Sequence, residues 1–201
     1  MSHPLNSSWT LYFQRQDDDI PDIPGGYASS IHKIGKFDTI EGFWSYYSHL
    51  KRPSEIDGKL EFQIFRNDIR GMWEDEENLN GGRWFFFVNN KNVSQLWERT
   101  LLALIGEQIH EDVVGAVMAI KEGTDIFSFW TKSGHTNSSE QFIMDIAESI
   151  SKAINLPPGT HMKFKQHVVH GRTQNRPLFS YTVGEPKTKR VKKAPQARKF
   201  Y

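Results

Sequence analysis

Few residues in this chain have both the type and the spacing for chemistry, and most candidates fail on spacing. His167 and His170 stand three apart in a stretch with strand periodicity. That separation points them to opposite faces of a sheet and away from a shared metal. Ser133-Gly134-His135 falls in a loop without the strand-to-helix elbow that activates a serine. Gly25-Gly26 and Gly81-Gly82 are isolated pairs and make no phosphate-cradling loop. The acidic runs at 17–19 and 74–77 offer oxygen ligands for Mg²⁺, the one opening for a nucleotide hydrolase, but such runs commonly form solvated loops. No nucleophile, base and orienting group come together. The reading is a non-enzyme that needs no cofactor and no metal.

Binding chemistry is better represented. In "GMWEDEENLNGGRW", residues 71–84, Trp73 directly precedes four acids, Glu74 to Glu77, with no apolar run around it. Such a Trp is either a wedge under its loop or a platform for a flat ligand. Beside it, the Glu74 carboxylate can accept two parallel hydrogen bonds, the number that N1–H and N2–H₂ of guanine donate. Stacking on an aromatic contributes ~1–3 kcal/mol per base. A cationic ring adds ~0.5–2 kcal/mol more. A positively charged guanine would use every part of this motif, whereas a structural Trp in an acidic turn would use none of it.

Composition sets the frame for such a site. The 201 residues include 14 Phe, 6 Trp and 6 Tyr, which predicts one domain with an aromatic-rich core. There are no cysteines, so disulfides, thiolate metal sites and Cys nucleophiles are excluded, as suits a reducing compartment. No apolar run approaches the ~20 residues of a bilayer span. These features fit a cytoplasmic monomer, a nuclear location being also compatible, with no membrane contact. The net charge of +1 conceals an asymmetry: from Gly184 onward seven Lys or Arg face one Glu, so the tail carries +6 and residues 1–183 carry −5. A mildly acidic body is poorly suited to gripping long nucleic-acid backbone. The division expected is a ligand-binding domain over 1–183 and a basic, mobile tail over 184–201.

Period-2 patterns predict strands at 9–15, 60–66, 83–89, 113–121, 125–132, 162–168 and 177–183, with a weaker one at 29–37. Helical stripes run through 39–50 (Ile40, Phe43, Trp44, Tyr47), 93–107 and 139–154, the last capped by Ser138 or Ser139 and stopped by Pro157-Pro158. Eight strands with short links and three amphipathic helices give an α+β fold, an antiparallel sheet with helices on one face and the opposite face left for function.

Several stretches carry a resemblance. "HPL" at 3–5, "GKFDTIEGFWSYYSHL" at 35–50, "MWEDEENLNGGRW" at 72–84, "LWERTLLALIGEQ" at 96–108 and "INLPPGT" at 154–160 run in order and look like the messenger-RNA cap-binding initiation factor 4E family. The resemblance implies a curved eight-stranded antiparallel sheet with three helices on its convex face. It also implies binding of the 7-methylguanosine cap in translation initiation or its regulation.

Residue by residue, it implies that Trp73 and Glu74 stack on and read the guanine, with the Trp73 backbone N–H serving O6 and Trp130 touching the methyl group. The second plate falls on Tyr27, where the family usually has Trp, as in the divergent class that includes 4E-homologous translational repressors. Arg83 and Lys121 match phosphate-binding positions, and Arg172 and Arg176 lie in a loop that often supplies a further cation. Ile126 stands where a phosphate-binding Lys is usual, which weakens the clamp. His3, Pro4, Ile40, Trp44 and Leu102 match the surface that docks a helical motif of a 4G-type scaffold or a 4E-binding protein. Arg99 replaces the acid that usually faces that motif's basic residue.

Overall fold

The computed structural model describes residues 2–15, 26–89, 92–169, 172–173 and 176–185. The strands are β1 (Pro4–Arg15), β2 (His32–Thr39), β3 (Leu60–Arg66), β4 (Gly82–Val88), β5 (Val113–Ile120), β6 (Asp125–Thr131), β7 (His161–Gln166) and, later in the chain, β10 (Phe179–Thr182). A two-residue pair, β8 (Val168–Val169) and β9 (Arg172–Thr173), forms a separate hairpin. The eight-stranded sheet runs in the order β10-β7-β4-β6-β5-β3-β1-β2, and every pairing is antiparallel.

Alternation decides which face each residue takes. In β4, Trp84 and Phe86 are fully buried while Arg83, Phe85 and Phe87 point the other way. The buried set joins Phe127 and Phe129 of β6, and Phe86 stacks on Phe127 with centroids 5.6 Å apart. Burying one such ring contributes roughly 1.5–3 kcal/mol, so the aromatic ladder down the middle strands anchors the sheet to its helices.

The covering helices are α2 (Ile40–Tyr47), α3 (Val93–Ile105) and α4 (Glu140–Ala153); α1 (Gly26–Ser29) is a single turn. Caps explain where two of them start. The Thr39 hydroxyl accepts from the Gly42 backbone N–H at 3.0 Å, and the Ser139 hydroxyl accepts from that of Phe142 at 3.1 Å. α4 buries Ile143, Ile146, Ala147 and Ile150, and the carbonyl of Ile143 accepts from the Trp84 indole at 3.1 Å, pinning helix to sheet. No helix among the described residues is long and apolar enough to cross a membrane.

Three details differ from the sequence reading. β1 begins at Pro4 rather than residue 9, because the polar 4–8 segment carries no apolar alternation, yet it reaches Thr39 of β2. β7 stops at Gln166, so His167 sits in a bend rather than on a strand; His170 lies outside the described residues. The face opposite the helices is not left bare either. A register shift between Val113 and Gly115 lets Val114 join Tyr12, Phe65, Val117 and Trp130 in a second, smaller cluster there.

Candidate functional site

The loop from Asn67 to Gly81, between β3 and β4, is held by its own polar side chains. The buried Asn78 amide donates to the carbonyls of Arg70 (2.9 Å) and Met72 (2.8 Å). Asp75 accepts from the Arg70 backbone N–H at 3.0 Å and pairs with the Arg70 guanidinium at 3.4 Å. One acid of the run is therefore structural. Met72 is buried under the loop, while Trp73, 42% exposed, and the adjoining Glu74 face outward. Neither the Trp73 backbone N–H nor the Glu74 carboxylate is hydrogen-bonded among the described residues. The loop returns to the sheet through Gly81, where a Cβ would collide with the Thr131 carbonyl oxygen. This close approach, not phosphate binding, accounts for glycine there.

Below the loop, the open face forms a cavity of about 160 Å³ lined by Gly71, Gln63, Arg83, Lys121, Ile126 and Trp130, with Glu61 and Ser128 also on its walls. Gly71 is two residues before Trp73, so the loop and the cavity adjoin. Trp130 is buried, edge-on to Phe65 at 5.7 Å and tilted against His167 at 4.2 Å. Burial, and secondarily the Arg83 charge, lower the His167 pKa to about 3, so the ring is neutral near pH 7. Several buried polar atoms have no partner among the described residues: both ends of the Gln63 amide, the Trp130 indole nitrogen and His167 Nε2. Leaving such groups unpaired costs ~1–3 kcal/mol each.

The remaining phosphate candidates are less defined. Arg176 is exposed just before β10, and Arg172 lies in β9 with its side chain outside the described residues. Tyr27 lies in α1, and its side chain is likewise outside them. Ser133 is plainly structural, its hydroxyl donating to Asp112 at 2.7 Å. Among the described residues no three His, Asp or Glu side chains cluster to hold a metal ion.

On the helical side, β1 docks against the start of α2. The Ile40 N–H donates to the His3 carbonyl (2.9 Å), and the His3 N–H donates to Glu41 (3.0 Å). The bond from the His3 backbone N–H, and after it the contact of the His3 ring with the same carboxylate at 2.6 Å, hold the Glu41 carboxyl down at about 2. Of the α2 stripe only Phe43 and Tyr47 are buried; Ile40 and Trp44 are each 43% exposed. The Tyr47 hydroxyl donates to Glu98 of α3 at 3.0 Å, under the Arg52 guanidinium 4.3 Å from its ring. Burial and then that bond raise the Tyr47 pKa. Trp44 lies one turn before Tyr47, and Leu102, 39% exposed, one turn after Glu98, so the pair that ties the helices is flanked by open apolar side chains. Arg99 is exposed on α3.

Sequence reasoning missed the roles of Asn78, Asp75, Gln63 and His167. Only Gln63 left a signal, as a polar residue between the apolar Phe62 and Ile64.

Known proteins supply the context. The family model of eukaryotic initiation factor 4E matches residues 4–179. Eukaryotic translation initiation factor 4E of Saccharomyces cerevisiae is 34% identical over 172 residues, covering 83% of this chain and 78% of the relative. The initiation factor NCBP of Arabidopsis thaliana is 32% identical over 167 residues, covering 82% and 73%. In structure, Ascaris suum eIF4E-3 in complex with an m2,2,7G cap superposes with a TM-score of 0.76 at 26% identity, covering 90% of this chain and 98% of that one. The complex of C. elegans eIF4E-3 with the 4E-binding protein Mextli and a cap analog gives 0.74 at 26% identity, covering 83% and 94%. A family match over most of the chain, on a curved sheet of the same strand count and helical cover, leaves one assignment: the chain belongs to the eukaryotic initiation factor 4E family.

Proposed function

We propose that this protein binds the 7-methylguanosine cap of messenger RNA in translation initiation or its regulation, and that it is not an enzyme. One observation carries the reading: a half-exposed indole and an unengaged carboxylate stand side by side on a loop fixed by Asn78 and Asp75, next to a cavity with cations. Trp73 stacks on the cationic base and Glu74 accepts from its N1–H and N2–H₂ edge. Tyr27 supplies the second plate, Trp130 borders the methyl group, and Arg83 and Lys121 hold the phosphate chain, with Arg172 and Arg176 as further cations. Fixed groups cost little reorganisation on binding, which favours affinity.

The helical face with His3, Pro4, Ile40, Trp44 and Leu102 docks a helical motif of a 4G-type scaffold or a 4E-binding protein, supported by the C. elegans relative solved with Mextli. A part in translation fits a cytoplasmic location, with a nuclear one also compatible. A hydrolase using the acidic loop is disfavoured because Asp75 is committed to Arg70.

Titrating tryptophan fluorescence with 7-methyl-GTP and with GTP tests the reading. Quenching by the methylated nucleotide at far lower concentration is expected, since neutral guanine forfeits the cation–π attraction. Equal affinity for both would overturn the stacking argument, and turnover of capped dinucleotide with Mg²⁺ would overturn the non-enzymatic one.

A further inference from the structure

The open face continues past the cavity along β4. There Phe87 is 53% exposed, paired with Ile126 of β6 and beyond the end of the β4–β7 ladder at Phe85. Its ring meets Phe85 edge-on, with centroids 6.0 Å apart. A lone exposed apolar residue needs no explanation, but this one has particular company. Lys163 pairs across from Phe85 and Lys165 across from Arg83. The Lys165 ammonium lies 5.6 Å and the Arg83 guanidinium 5.9 Å from the centre of the Phe85 ring. After burial, the charges that depress the Lys165 pKa are Arg83 and Lys163, both of like sign. Among the described residues neither Lys163 nor Lys165 is in an ion pair. On a body that carries −5 over residues 1–183, this concentration of positive charge beside open rings stands out.

Resting on the cap-binding reading, we infer that Phe85, Phe87, Lys163 and Lys165 form a second subsite, which holds the single-stranded RNA that follows the cap. The chemistry selects the occupant. A phosphodiester strand offers an anion and a flat ring in alternation, whereas an acidic peptide would use the cations and leave the rings idle. Position agrees: Ile126 pairs with Phe87 and Ser128 with Phe85, and both also line the cavity, so the track starts where the cavity ends. From Arg83 to Phe87 the strand advances roughly 13 Å, room for a short run of nucleotides. Stacking on phenylalanine tolerates any base, and the lysines read only phosphate, so the subsite is sequence-independent.

The test compares 7-methyl-GTP, a capped pentanucleotide and the same pentanucleotide without a cap. The capped RNA should bind tighter than 7-methyl-GTP by roughly tenfold, one stacked base contributing about 5- to 150-fold at most. Its affinity should fall more steeply with salt, by about 0.7 in log–log slope for each phosphate engaged. Phe87→Ala should remove most of that gain, and Lys163→Gln should flatten the extra slope, both leaving 7-methyl-GTP affinity unchanged. The uncapped strand should shift the NMR signals of the Phe85 and Phe87 rings at high concentration. Capped RNA binding no better than 7-methyl-GTP, or a gain that survives both substitutions, overturns the subsite. Should 7-methyl-GTP itself fail to bind, the cap reading falls, and the uncapped strand still decides this one: ring shifts abolished by Lys163→Gln support it, and unshifted rings refute it.

Discussion

Trp73 and Trp44 are almost equally exposed, at 42% and 43%, yet their surroundings prepare them for different ligands. Trp73 stands on an irregular loop whose shape is fixed by amide and carboxylate bonds to backbone, with Glu74 at its side. Trp44 rides a regular helix, packed edge-on against Phe43 (5.0 Å) and Tyr47 (5.8 Å), with exposed Ile40 a turn earlier. A polar frame around an indole suits a flat ligand with a donor edge, because each polar group left over can be satisfied. An apolar frame suits another apolar surface. Exposure measures opportunity, and the neighbours decide its use.

The sharpest way to break this comparison is to exchange the consequences. Trp73→Ala should lower 7-methyl-GTP affinity by roughly 100-fold, from lost stacking of ~1–3 kcal/mol plus the cation–π share. Glu74→Ala should abolish retention on immobilised 7-methyl-GTP as well, since guanine donors would leave water unpaired. Both variants should melt at the wild-type temperature, because neither side chain is hydrogen-bonded in the loop's frame. Asp75→Ala provides the contrast: it frees Arg70, so affinity and loop order should fall together in hydrogen exchange. A Trp73→Ala protein that unfolds without ligand would instead make the indole a structural wedge.

Trp44→Ala should act on the other side only. Cap affinity should be unchanged, while a helical partner peptide should lose about 2 kcal/mol, roughly 30-fold, as an aromatic anchor does. Thermal unfolding without peptide checks the alternative, in which the helix stripe makes Trp44 part of the core. A melting temperature that collapses would restore that alternative.

Regular periodicity made the fold legible, and its absence hid much of the site. "LEFQIFR" alternates from Leu60 to Ile64 and forms β3 over the same residues, 60–66. Ser139 announced the start of α4 because a cap is a local event. On α2 the stripe alone would bury all four of its members; the sheet reaches only Phe43 and Tyr47, because which part of a stripe is covered depends on tertiary placement. The bonds from Asn78 to Arg70 and Met72 go to backbone carbonyls, whose positions follow from the loop path and leave no trace in residue type. The spacing of His167 from His170 speaks only to metal ligation on a strand. The place of His167 in a bend against Trp130 depends on where β7 stops, and a bend of one residue has no period.

His167 also makes the polar frame sensitive to acid. Its pKa is about 3 when folded, against 6.5 ordinarily, chiefly through burial and then through Arg83. Between those values the unfolded chain binds a proton that the folded protein excludes, so stability rises with pH through this window and is lost on acidification. The slope limit is about 1.4 kcal/mol per pH unit. Urea unfolding at pH 7 and pH 5 should therefore show a loss of about 1–2 kcal/mol in the wild type that His167→Gln largely removes. Glu41, held at about 2, begins to contribute only below its ordinary 4.5 and leaves the interval from 5 to 7 clear. Equal losses in both proteins would mean that the imidazole titrates normally.

The smallest effect concerns the phosphate end of the polar frame. Ile126 lines the same cavity as Arg83 and Lys121, pairing with Ala119 on one side and Phe87 on the other. As an aliphatic residue it donates nothing, so affinity should rise from mono- to triphosphate cap analogue by less than where a lysine stands there. Ile126→Lys should tighten 7-methyl-GTP by about 1.4- to 5-fold at low salt, the ~0.2–1 kcal/mol of an exposed ion pair, and less as salt screens it. Bare 7-methylguanosine should bind as before, because the new charge has no anion to meet. The residues from Gly184 onward add seven Lys or Arg, so the measurement should be repeated on a chain ending at Val183. There the wild type should lose affinity for the triphosphate and the variant should recover part of it. A flat response in both chains would mean that the phosphates leave the cavity by another route, away from β6.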